Sequence, residues 1–264
     1  MKNLFFFLLL FTQSSWAIRP FVTDDARVLD YGQIGSEIWV EQAKIDSDYL
    51  FTEHALLSWN FYKWIEVTAV GNFQTHDGDI LFFNPVAQGK VLLAKAGSDS
   101  QPGLAISAAH IFNAGSGEER ERASSSYLLG MSTIRFKDDH LIIHTNLGFT
   151  NAATAAGKQK TRAFWGLGFD HSLHEFNWRV IGEVYSGDPY SAYRSPVAAQ
   201  GGLRWLYHHQ YSFDLVFGGQ PVYGENYQST AQTEYWVQMG VRISADLYTE
   251  PGVADAHGAK GIFR

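Results

Sequence analysis

Three groups of residues in this chain have types and spacings that could do chemistry. His140 and His144 stand four apart, Asp170-His171-Ser172 places an acid, a base and a nucleophile in a row, and a set of polar residues alternates with apolar ones. That set is Glu66, Arg135, His144, Asn146, Arg162, Asp170, Arg179, Glu183, Arg204, Gln238 and Arg242. What each group can do depends on the backbone beneath it. On a helix, two His four apart could share one metal; on a strand rising ~3.3 Å per residue they lie roughly 13 Å apart, too far for one ion. The pairs His171 with His174 and His208 with His209 fall on opposite faces of a continuing strand. No metal and no cofactor is expected.

The enzymatic rival is a barrel lipid hydrolase, in which His and a Ser two residues later share a strand face as base and nucleophile. No His here has Ser at that position. Asp170, His171 and Ser172 are sequence neighbours, so on a strand they point alternately and could meet only in a distorted turn. Gly166 and Gly168 lie inside the same apparent strand, which makes them small inward residues rather than a nucleotide-binding loop. The reading is therefore non-enzymatic.

The elements that position these residues are extended. In 139–150, His140, Ile142, His144, Asn146, Gly148 and Thr150 share one face while Leu141, Ile143, Thr145, Leu147 and Phe149 share the other. One face is largely polar or small and the other apolar, over about the 9–11 residues of a tilted membrane strand. Variants of this unit are expected at 34–42, 51–60, 63–73, 87–95, 104–112 and 127–136, and after 139–150 at 161–171, 176–185, 197–208, 212–218 and 234–245. Twelve is an even number, as bacterial barrels use. The connections alternate in expected length: long at 43–49, 74–86, 113–126, 151–160, 186–196 and 219–233, short between. An up-and-down barrel with short periplasmic turns gives that order, whereas a Greek-key sandwich does not require it.

The predicted fold is an all-β, up-and-down antiparallel transmembrane barrel over 34–245. Arg135, Arg162, Arg179, Arg204 and Arg242 fix its register, because an Arg on lipid near the midplane costs ~2–4 kcal/mol. Trp59, Phe61, Tyr62 and Trp64 cluster at one turn, where an interfacial girdle would sit. The eleven polar residues named above then line the lumen. They form either a constriction that sorts solutes or an ion-pair network that fills a narrow barrel, since about twelve strands lies between filled and open sizes.

Lys2, the apolar run 4–11 and Ser15-Trp16-Ala17 have the layout of a secretory signal over 1–17. A segment at 18–33 precedes the barrel on the periplasmic side, its Asp24 and Asp25 either plugging the barrel from below or hanging free, and a tail at 246–264 follows it there. The chain has no cysteine, so neither disulfides nor a lipidated cysteine is available. Its formal charge of −7 becomes −8 when the one lysine of the signal is removed, which argues against a nucleic-acid partner. Glu118-Glu119-Arg120-Glu121-Arg122 reads as a solvated outer loop, with lipopolysaccharide contact a lesser alternative.

The mature start, Arg19-Pro20-Phe21-Val22-Thr23-Asp24-Asp25-Ala26, followed by Gly32 and Glu37, resembles the outer-membrane transporter family named for the meta-pathway of phenol degradation. The glycine-containing strand from Trp236 to Ile243 resembles that family's closing strand. The resemblance implies passive uptake of small, often aromatic, compounds and carries no catalytic residues. Expected partners are such a solute, outer-membrane lipid and lipopolysaccharide, and the outer-membrane assembly machinery; oligomeric state stays open. The chain departs from barrels that end on an aromatic residue, since it continues through Pro251 to Arg264. A closed barrel with binding or stiffening roles for its loops is the alternative to a channel.

Overall fold

A computed structural model describes residues 22–45, 48–76, 79–97, 100–116, 124–137, 139–153, 159–173, 177–186, 197–208, 211–222 and 232–247. The expected signal at 1–17, the charge run at 118–122 and most of the expected C-terminal tail lie outside these residues. Twelve strands run in order: β1 (Gln33–Ile45), β2 (Asp48–Tyr62), β3 (Ile65–His76), β4 (Asp79–Ala94), β5 (Gly103–Ile111) and β6 (Ser125–Phe136). Then come β7 (Leu141–Ala153), β8 (Gln159–Ser172), β9 (Trp178–Ser186), β10 (Ala198–His208), β11 (Tyr211–Val222) and β12 (Gln232–Asp246). Each pairs antiparallel with its sequence neighbour, and β1 pairs with β12 from Gln33↔Asp246 to Ile45↔Glu234, so the sheet closes on itself. Closure leaves no strand edge unpaired, which is what allows a sheet to sit in lipid. Among the described residues there is no helix.

The two faces differ as lipid requires. Leu57, Leu147, Phe217 and Met239 point outward and are 55%, 62%, 54% and 56% exposed, while Thr133, His144, Asn146 and Arg204 on the inner face are at most 3% exposed. A sheet folded in water would bury the first set and expose the second. The outward lysines sit at the margins: Lys44 lies over the Tyr49 ring at 5.3 Å and Lys95 over Trp64 at 5.8 Å. The aromatic residues at the β2–β3 turn have a counterpart across the same rim. There Trp178 stacks on Trp205 and Trp205 on Phe213, with centroids 5.8 and 5.5 Å apart.

Two expected long loops are strand. β1 and β2 run on until only 46–47 join them, and β3 and β4 until only 77–78 join them. Asp77-Gly78 is a two-residue hairpin sequence flanked by strand formers, within the stretch 74–86 expected as one long loop. β4 accommodates Pro85 at a bulge: Asn84 takes a positive φ of 41°, the register shifts between Val70 and Asn72, and the Asn72 amide donates to the Asn84 carbonyl at 2.7 Å. The long–short order holds only from β5 onward, and even there β7 and β8 extend until 154–158 is no longer than 173–177. The strand expected at 139–150 starts at Leu141, because Lys137 and Asp139 have positive φ and the His140 amide closes a turn on the Lys137 carbonyl.

Candidate functional site

The barrel interior is crossed by the chain's own N-terminal segment. Residues 22–32 run inside the wall from β9 to β2 before entering β1, with Thr23, Asp25, Ala26 and Leu29 no more than 2% exposed. We call this segment the strap. Its backbone is held by wall side chains one after another. Glu183 accepts the Val22 and Thr23 amides at 2.8 and 2.7 Å, one on each carboxylate oxygen. Asn146 accepts the Asp24 amide at 2.6 Å and donates to the Asp24 carbonyl at 2.7 Å. Thr133 accepts the Ala26 amide at 2.8 Å, and Glu66 accepts the Leu29 amide at 2.8 Å. Lys90 donates to the Asp25 and Arg27 carbonyls at 3.2 and 3.3 Å, and Asn60 donates to the Leu29 carbonyl.

Strap side chains add little polar contact with the wall. The Asp24 carboxylate pairs with Lys90 at 2.9 Å and takes a weaker hydrogen bond from Gln88 at 3.4 Å. Asp25 instead turns the strap on itself, accepting the Arg27 amide and pairing with its guanidinium. Thr23 rests against the bare backbone of β8. A Cβ on Gly166 would lie 2.5 Å from Thr23 Oγ1, and one on Gly168 3.4 Å from Thr23 Cγ2. Those glycines are inward and small, as expected from sequence, and their smallness seats the strap.

The wall that the strap leaves free carries a belt of cross-strand ion pairs. Arg179 and Arg204 face each other in register on β9 and β10. Arg179 pairs with Asp170, and Arg204 makes a two-point contact with Asp214 at 2.7 Å on each oxygen while reaching Asp170 at 3.4 Å. Arg242 pairs with Glu37 at 2.8 Å, and Gln238 donates to Glu41 beside it. Three arginines and three carboxylates thus pair along the belt, with the Glu41 carboxylate held beside them by Gln238. The fork of Arg suits this work, since it satisfies two acceptors in fixed geometry. At the turn below, Arg135 pairs with Asp139. Burial there raises the Asp139 carboxyl, but the Arg135 hydrogen bond and charge outweigh it and hold the group below the usual carboxylate range.

A third region of the interior is apolar. Trp39, Leu56, Val70, Ile111, Tyr127, Leu129, Met131 and Phe164 form one buried cluster on the inner face, which Ala26 of the strap joins. Tyr127 and Phe164 meet edge to face at 6.2 Å. The lumen is therefore partitioned into strap, charge belt and apolar patch.

Of the residues expected inside, Glu66, His144, Asn146, Asp170, Arg179, Glu183, Arg204, Gln238 and Arg242 are buried on the inner face. Arg135 and Arg162 share that face but are only partly buried. Glu66, Asn146 and Glu183 touch the strap; Asp170, Arg179, Arg204, Gln238 and Arg242 belong to the belt. His140 lies in the turn before β7, while His144 meets Thr133 at 3.0 Å through Nδ1. Asp170 points inward to its two arginines and His171 is exposed outside, so the acid and base of the Asp-His-Ser run stand on opposite faces of the wall. Reading the sequence missed Lys90, Gln88, Thr133, Asn60 and Asp214. Gln88 and Lys90 alternate with Ala87, Gly89 and Val91, a signal that the weakly patterned start of β4 obscured.

A family model described as "Uncharacterised conserved protein UCP029691" matches residues 6–245. No curated protein matches the chain in sequence. In structure the chain is similar to the COG4313 outer membrane channel from Pseudomonas putida F1, at 8% identity and a TM-score of 0.59, over 83% of this chain and 98% of that one. It is also similar to the KdgM porin in complex with disordered oligogalacturonate, at 9% identity and 0.52, over 78% and 98%. The NanC porin matches at 10% identity and 0.50, over 78% and 98%. At such identities the likeness is one of fold, that of a closed outer-membrane barrel.

Proposed function

We propose that this chain, which belongs to the family described as Uncharacterised conserved protein UCP029691, is an outer-membrane barrel that acts as a passive channel for small solutes. The observation that carries the proposal is the division of the lumen: the strap is bonded to wall residues from β2 to β9, and the belt on β8 to β12 and β1 has its own ion pairs. A solute passes between them, meeting paired charges on one side and peptide backbone on the other. The channels and porins of the same fold support this reading. The apolar patch of Trp39, Tyr127, Leu129 and Phe164 suits aromatic or otherwise hydrophobic solutes, as does the resemblance of the mature start to the meta-pathway transporter family. Glu66, Arg135, His144, Asn146, Arg162, Asp170, Arg179, Glu183, Arg204, Gln238 and Arg242 act in this reading as lumen residues, with no catalytic step, cofactor or metal. The protein reaches the outer membrane through a cleaved signal, is inserted by the assembly machinery, and contacts lipid and lipopolysaccharide.

A second reading is favoured by one specific observation. The strap is bonded to six wall strands, which equally describes a stopper in a structural or ligand-binding barrel. Vesicle swelling separates the two. Vesicles containing the mature protein should swell in small neutral solutes at rates that fall with solute size. Rates equal to those of protein-free vesicles would leave only the plugged barrel.

A further inference from the structure

The wall of the lumen treats the strap as a peptide. Nine of its hydrogen bonds go to the backbone of residues 22–29: five amides are accepted by Glu183, Asn146, Thr133 and Glu66, and four carbonyls receive bonds from Asn146, Lys90 and Asn60. Any peptide that follows the path of the strap offers these donors and acceptors from its backbone. Selection enters at two points. Lys90 demands a carboxylate at the place of Asp24, and the Gly166–Gly168 floor leaves room for only a small side chain at the place of Thr23.

We propose that these wall residues form a binding cradle for an oligopeptide with a small residue followed by an acidic one, and that the strap occupies it as an intramolecular ligand. The ligand class follows from the wall chemistry. Carboxylate, amide and hydroxyl oxygens placed to receive the N–H groups of residues 22, 23, 24, 26 and 29 fit a peptide, and fit a sugar or a hydrocarbon poorly, because neither carries amides. Glu183 is the clearest sign: its two oxygens take two consecutive backbone amides, donors that a peptide chain supplies. The proposal rests on the channel reading only in placing the cradle beside the solute path, so its ligand is either a permeant or a blocker.

The test empties the cradle without altering its wall. Thr23→Pro with Ala26→Pro removes two N–H donors from the strap; Asp24→Ala with Asp25→Ala is a second route should the first disturb folding. Each full-length variant is titrated in detergent by calorimetry with the peptide Val-Thr-Asp-Asp-Ala-Arg, with its counterpart carrying Asn at the third position, and with an unrelated hexapeptide, Ile-Ser-Asp-Asn-Ser-Lys. The expected result is binding of both peptides with Asp third, weaker by about tenfold or more for the Asn counterpart, as a charge-assisted hydrogen bond implies. Adding Lys90→Gln should bring the Asp and Asn peptides within about twofold. Binding of the strap sequence alone, with none of the unrelated peptide, would reduce the cradle to a dedicated socket and overturn the proposal. So would absence of all binding in variants that conduct in a bilayer, and the channel reading would survive. Binding by variants that never conduct would keep the cradle and end the channel.

Discussion

Lys90 ties the strap to the wall through three contacts. It faces the Asp24 carboxylate and donates to two strap carbonyls from a position almost sealed from solvent. Removing one partner of a buried ion pair costs about 3–5 kcal/mol, because the other charge is left uncompensated. Lys90→Met should not unfold the barrel, since the strap can leave and carry Asp24 to water. The expected outcome is a folded barrel whose N-terminal segment becomes open to limited proteolysis, with protection regained when Asp24→Asn is added. Continued protection in the single variant would contradict the role given to this pair. At the rim, the lowered Asp139 carboxyl sets a pH dependence of definite sign. A carboxyl whose folded pKa lies below its unfolded one stabilises the fold above the unfolded pKa and loses that contribution as pH falls through the folded one. The melting temperature should therefore drop less below about pH 4 in Asp139→Asn than in the native chain, and equal drops would remove the Arg135 pair from the account. These contacts give a physical role to the Thr-Asp-Asp-Ala segment that carries the family resemblance in the sequence. Its first Asp is the anchor, its second makes a local turn with Arg27, and neither role can be read without knowing that a lysine waits on β4.

Strands were legible because their side chains do the work. Alternation in β5, β7, β8 and β12 follows from one face meeting lipid and the other the lumen, and Arg179, Arg204 and Arg242 landed inside because lipid excludes them. The strap was illegible because its backbone does the work: a segment recognised through amides and carbonyls imposes no period on its side chains. Asp24 and Asp25 can be read from sequence as a plug or as a free end, and Gly166 and Gly168 only as small residues whose reason lies elsewhere in the chain. Gly166→Val should therefore expel the strap while β8 stays paired, seen as faster amide exchange over 22–29 with unchanged exchange in β7 and β8; slowed or unaltered exchange over the strap would refute the seat. The β8 residues His171 and Ser172 give the opposite expectation. Their substitution by Ala should change neither folding nor release of fatty acid from phospholipid, and any release lost with His171 would revive the hydrolase that the opposed faces argue against.

For the whole molecule, the two questions of side and of opening separate cleanly. Side is fixed by the outer surface. Leu147 is 62% exposed at the middle of β7, so Leu147→Arg should lower the stability of the inserted barrel by about 2–4 kcal/mol, read as a shifted denaturant midpoint in lipid vesicles; an unshifted midpoint would take that face out of the membrane. Strand number and closure were within reach of the sequence because the pattern repeats, whereas the reach of β1 to β4 beyond their expected ends was hidden by polar residues near the hairpins. Opening was beyond reach, since it depends on how much of the lumen the strap and the belt leave between them. Single-channel recording of the mature protein in a planar bilayer, beside the Thr23→Pro/Ala26→Pro variant, addresses it directly. The account predicts discrete current steps for the native chain and larger steps for the variant, whose strap no longer narrows the path. Folded, inserted protein that stays silent in both forms would contradict the channel and leave a barrel closed by its own side chains.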